Sequence, residues 1–216
     1  MSKNLLLLLL LFQILSCSDK KRTEEIPAEL KSSSQVKLQS INDLMSTEEV
    51  IAQLKNKKSR IDTIMAHKEL ILEVLVKEPN KKKLTLVKIE QWPKEIETTY
   101  NIWKNVEGQV IVVGEYSTSE SGDWDIEYLH YFDNNGKIFS FERNTNFFNS
   151  ICTEGVAYEN IVEFYNSDFI KINSAYSLFD ESRENLKKED CVMNYDFPYS
   201  INNNLKEYLK KINYRS

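Results

Sequence analysis

Histidine, cysteine, glycine and proline are all scarce in this 216-residue chain, at two, three, five and four. Each shortage excludes something. Two histidines, His67 and His130, with no His-x-His or His-Glu-x-x-His spacing, are too few for a catalytic zinc site. So little glycine and proline excludes collagen-like and low-complexity chains. There is no Gly-x-Ser-x-Gly elbow and no phosphate-binding glycine loop. Lys and Arg number 28 against 33 Asp and Glu, for a formal charge of −5. A nucleic-acid partner needs a basic stripe, so none is expected. No repeat of fixed period occurs. The longest apolar run falls short of the roughly 20 residues that span a bilayer as a helix.

That run opens the chain. Met1-Ser2-Lys3-Asn4 is short and basic, residues 5–15 are apolar except Gln13, and Ser16-Cys17-Ser18-Asp19 restores polarity. A charged start, a short apolar stretch and a small residue make a secretory leader. Ile14-Leu15-Ser16-Cys17 resembles the lipobox of bacterial lipoproteins. The resemblance covers only the leader. It implies acylation of the Cys17 sulfur, cleavage after Ser16 and acylation of the new N-terminus. Ser18 beside the cysteine implies onward transport to the outer membrane. An ordinary leader with a chance cysteine is the alternative. Several acyl chains give stable anchoring where one is marginal. Loss of the leader removes Lys3 and no acid, taking the charge from −5 to −6.

With Cys17 assigned to the anchor, Cys152 and Cys191 remain. An even pair in an oxidising envelope favours a disulfide over two buried thiols. Residues 17–42 carry few apolar groups, a Lys20-Lys21-Arg22 run and Ser32-Ser33-Ser34, and read as a flexible tether. Residues 43–216 then form one α+β domain.

Ser46-Thr47-Glu48-Glu49 fits a capping box. Apolar spacing continues through Val50, Ile51, Leu54, Ile61, Ile64, Met65, Leu72 and Leu75. This predicts one long helix, or a pair broken at the lysines 55–58, ending before Pro79. His67 on or beside that stripe reads as a surface or cap residue.

From residue 84 the period falls to two. Strands are predicted over 84–90, 96–104, 109–116, 124–132, 137–142, 158–165 and 169–178. Val110-Ile111-Val112-Val113 is apolar on both faces, so its strand should be central and covered on both sides. Asn135-Gly136 predicts a type I′ hairpin turn. Residues 143–155 read as irregular, with Phe147 and Phe148 packing down, and 180–190 as loop or brief helix. Leu205, Tyr208, Leu209 and Ile212 predict a short final helix capped within Asn202-Asn203-Asn204. Tight turns between strands and helices at both ends give an α+β antiparallel meander.

Asp123, Asp125 and Glu127 alternate along one strand but lack the glycine and terminal glutamate of a calcium loop, so a solvated face is the reading. The aromatics Trp92, Trp103, Tyr116, Trp124, Tyr128, Tyr131 and Phe132 read first as sheet core. Glu120, Asp123 and Trp124 are the candidate contact loop, where charges and Gly122 sit beside an aromatic. No cofactor or metal is expected. The function expected is a non-enzymatic, lipid-anchored envelope module that binds an envelope protein. A glycan- or lipid-binding lipoprotein is the alternative, and a carboxylate hydrolase ranks last.

Overall fold

The first described element begins at a reciprocal cap. Ser46 Oγ accepts from the Glu49 amide at 3.2 Å, and the Glu49 carboxylate accepts from the Ser46 amide at 2.8 Å. Together they satisfy two of the amides that every helix start leaves bare. Helix α1 then runs Thr47–Ala66 without a break at the lysines. It ends in a left-handed residue, Lys68 at φ 58°. The Glu69 amide reaches back to the Ile64 carbonyl and the Lys68 amide to Met65. That closure is a Schellman stop. His67 is the exposed C-cap, as its reading predicts.

The helix therefore stops nine residues short of Leu75. Leu72 and Leu75, expected on its stripe, lie instead in strand β1, Ile71–Lys77. Ile71-Leu72-Glu73-Val74-Leu75-Val76 fits either period, and the sheet partner decides it. The first expected strand shrinks to β2, Thr85–Leu86. In this computed structural model residues 45–88, 91–148, 150–192 and 197–214 are described. The leader, Cys17, the whole of the tether, and Ile89 and Glu90 of the expected strand lie outside them.

Six further strands follow: β3 Thr98–Lys104, β4 Val110–Thr118, β5 Trp124–Phe132, β6 Ile138–Phe147, β7 Ala157–Tyr165 and β8 Lys171–Phe179. All pair antiparallel in one sheet of order β2-β1-β3-β4-β5-β6-β7-β8. The α+β class and the antiparallel sheet expected from the sequence are found; at one edge the order departs from a meander, because β2 lies outside β1 and β3 pairs with β1 instead. Strand β6 runs five residues beyond its expected end, because Arg143, Asn144, Thr145 and Asn146 pair in register with β5 and β7. Residues 143–147, expected to be irregular, are therefore strand. Phe147 packs down as expected, while Phe148 is exposed.

One device recurs at four reversals. Asn105, Asp133, Asn166 and Asp180 each accept two backbone amides on the side-chain oxygen, from the residues two and four ahead. Each also pairs its own amide with the carbonyl four ahead. The residue three ahead is left-handed: Gly108, Gly136, Phe169 and Arg183. These are three-residue loops with a left-handed third residue, so Asn135-Gly136 does not make the expected type I′ turn. Asp133 captures the turn one residue earlier. Where glycine is missing, the side chain stacks on the aromatic four residues back. Phe169 lies 4.9 Å from Tyr165, and the Arg183 guanidinium 4.5 Å from Phe179.

The two sheet faces are covered differently. On one, α1 sets Leu54, Ile61 and Met65 against Trp103, Val112, Leu129, Tyr131 and Phe139. On the other, α2 (Leu205–Lys211, capped by Asn204) sets Leu205, Tyr208, Leu209 and Ile212 over Leu75, Tyr100, Ile102, Val113, Phe132 and Phe141. Val112 and Val113 thus face opposite covers, as β4's apolar run requires. A third cluster, Phe147, Ala157 and Leu178, is sealed by Trp124, Leu186 and Cys191. There Cys152 and Cys191 form a disulfide, 2.03 Å between sulfurs. Closing a loop with a sequence separation of 39 stabilises by about 4 kcal/mol through chain entropy.

Candidate docking surface

The disulfide gathers segments far apart in sequence. The Val192 amide donates to the Ser150 carbonyl at 2.8 Å, which sets Ile151 beside Val192. The Phe148 amide donates to the Asp123 carbonyl at 2.9 Å, which ties the 119–124 turn to the same end. The Trp124 ring lies 5.0 Å from Phe197. Phe148, Ile151, Val192 and Phe197 are all exposed large apolar side chains. Clusters of this kind on a folded surface mark contact sites more often than scattered single residues do.

Ile151 is the informative member. It is 75% exposed and sits at φ 69°. A β-branched side chain in the left-handed region costs on the order of 1–3 kcal/mol. Neither burial nor glycine-like freedom offsets that here. The disulfide next door holds the backbone, and the side chain is presented to solvent. Glu120, Glu154, Glu189 and Asp190 make an exposed acidic rim, with Lys187 and Lys188 among them.

The residues named in the sequence reading fall within this end but not in one role. Glu120 is exposed in the turn, and Asp123 accepts from Ser121 Oγ at 2.6 Å. Trp124 packs inward on the Phe147 cluster. The reading missed Phe148, Ile151, Val192 and Phe197. Only the spacing of the two cysteines hinted that their flanks meet.

The α1 face carries a second arrangement. Beyond the helix, Tyr116, Glu127, Asn144, Asn160 and Ser177 line up in register across five strands. Tyr116 donates to Glu127, Asn144 Nδ2 donates to Glu127 at 2.8 Å, and Asn160 Nδ2 donates to Asn144 Oδ1 at 2.6 Å. Asn160 also reaches Glu142 at 2.6 Å. There the row meets Lys58, whose ammonium lies 2.5 Å from Glu142 and 2.9 Å from Asp62. Burial and the bond to Glu127 push the Tyr116 phenol above its ordinary range. Burial, with Glu142 and Asp62 alongside, does the same to Tyr131. Both stay hydrogen-bond donors at any physiological pH.

Asp125 pairs with Asn146 at 2.9 Å, and Glu127 is held as above. Among the described residues, no group of three or more His, Cys, Asp or Glu side chains is placed to hold a metal ion. No described helix is long and apolar enough to cross a membrane.

His130 lies in the interior, against Phe132, Phe141 and Tyr208. Neither ring nitrogen makes a well-formed hydrogen bond. Burial, helped by the nearby Lys211 charge and opposed by the Ser200 backbone, pushes its pKa down to about 3. It is a neutral core residue.

Fold and surface together define a disulfide-clamped α+β meander with one filled face, one half-open face and an apolar end. No family model, no characterised protein and no solved structure matches the chain.

Proposed function

We propose that this is a non-enzymatic, lipid-anchored protein of the bacterial cell envelope, held in the outer membrane through Cys17, that docks a protein partner. The observation that carries the docking role is Ile151, strained and exposed beside the disulfide, where a backbone bond brings the exposed Val192 alongside. Strain kept at a solvent-facing apolar residue is a cost that folding alone gives no reason to bear. Apolar anchors with a charged rim are the composition of a specific protein interface. The acidic rim calls for a partner surface that is apolar at its centre and basic around it. The placement in the envelope rests on the lipobox resemblance and agrees with an oxidised cysteine pair.

The test is capture from detergent-solubilised envelopes of the native organism, with the full acylated chain as bait. The native protein is expected to retain one stoichiometric partner. Ile151→Asp is expected to lose it with no fall in melting temperature, because the side chain it replaces is already in solvent and aspartate tolerates the left-handed backbone better than isoleucine does. Capture that is indifferent to Ile151→Asp and to Phe197→Asp removes this surface from the account.

A further inference from the structure

We propose that the groove between the C-terminal half of α1 and the open sheet face is a binding site for a neutral saccharide. This site is separate from the docking surface and stands or falls independently of it.

The argument starts at Gly114. Glycine inside a strand weakens it, and commonly marks a close approach of another group. A Cβ on Gly114 would meet Trp103 Cζ3 at 2.8 Å and Cη2 at 3.1 Å. The missing side chain lets the indole lie against the strand backbone. Trp103 then forms a wall of a groove of about 410 Å³, with Met65, Leu129, Lys58, Glu142 and Asn144. The groove is shallow and open to solvent, so a ligand would lie along it with one side exposed. One apolar ring beside a set of fixed polar groups suits a sugar, whose C–H face packs on an aromatic while its hydroxyls reach outward.

The polar groups are already oriented. The Lys58 side chain is only 10% exposed and is held between Asp62 and Glu142. Its ammonium lies 4.6 Å from the Tyr131 ring centre. Tyr131 donates to Asp62 at 2.8 Å. Asn144 is fixed by Glu127 and Asn160. Each ionised carboxylate offers about four acceptor sites, and these contacts use only some of them. A donor-rich ligand finds ready partners, with little ordering cost left to meet. Charge narrows the class further. Among the lining residues Asp62 and Glu142 outnumber Lys58, so phosphorylated, sulfated or carboxylated sugars are repelled.

The experiment is titration calorimetry on the purified full chain with cellobiose, maltotriose and N,N′-diacetylchitobiose, and with glucose 6-phosphate as the charged control. At least one neutral sugar is expected to bind below about 10 mM, and the phosphate is not. Trp103→Ala is expected to weaken that binding about tenfold or more. Asn144→Ala, which removes only a half-buried amide, carries the same test if Trp103→Ala fails to fold. Retention on cellulose or chitin beads, against binding of the free sugar alone, separates a polymer from a free sugar as the source. The proposal is overturned if no neutral sugar binds, if the phosphate binds equally well, or if binding survives in both variants.

Discussion

The two faces of the sheet are made by the same strands, residue by alternate residue, yet they are built to opposite plans. On the α2 face, Val113, His130, Phe141 and Tyr208 pack with almost no solvent contact. Even its charges are enclosed: Arg143 is 3.6 Å from Glu159, with both side chains under 5% exposed. On the α1 face the helix covers one end of the strands. The rest is a floor of amides and carboxylates joined to each other. The comparison teaches a division of labour. The closed face holds the fold, and the partly open face and the disulfide end are free to recognise something.

Three substitutions sharpen or break that division. The largest effect belongs to the closed face. Phe141→Ala is expected to lower stability by about 3–5 kcal/mol, read from urea melts. A cost under about 1 kcal/mol places Phe141 outside the core. The intermediate effect is pH-dependent. An unfolded histidine titrates near 6.5 and folded His130 near 3, so between these values the unfolded chain holds more protons. This part of the stability is complete above pH 6.5 and drains away as pH falls towards 3. From pH 6.5 to about pH 4.5 the native protein is expected to lose roughly 2–3 kcal/mol more than His130→Leu does. Parallel pH profiles for the two proteins contradict a buried neutral imidazole. The smallest effect is on the open face. Asn144→Ala is expected to cost about 1 kcal/mol or less, since solvent can replace what the amide loses. A loss as large as that of Phe141→Ala makes the polar row a structural core rather than a surface.

The meander was legible because its signals are local. Period-two alternation marked β3, β4, β5, β7 and β8, and the capping box at Ser46 located α1 to the residue. Leu72 and Leu75 misled because a six-residue stretch with five apolar residues and one glutamate carries no decisive period; partnering with β3 turns it into strand. The run Arg143-Asn144-Thr145-Asn146 looked irregular because asparagine is a poor strand former alone. Its amides find partners on β5 and β7, and those are non-local. The turn at Asp133 was placed correctly but typed wrongly, since the aspartate's capture of two amides outweighs the Asn-Gly preference. The cysteine pair was readable from its even number once Cys17 is set aside. What it assembles was not: Ile151 shows no special character until its backbone angle is seen.

The most direct test of the docking role is a photoreactive side chain installed at Ile151 in living cells. Val106, 84% exposed in the loop between β3 and β4, serves as the control position. Irradiation is expected to give one discrete cross-linked species from position 151 and none from 106. No product at 151, or the same product from both positions, contradicts the assignment of the disulfide-clamped end as the contact surface.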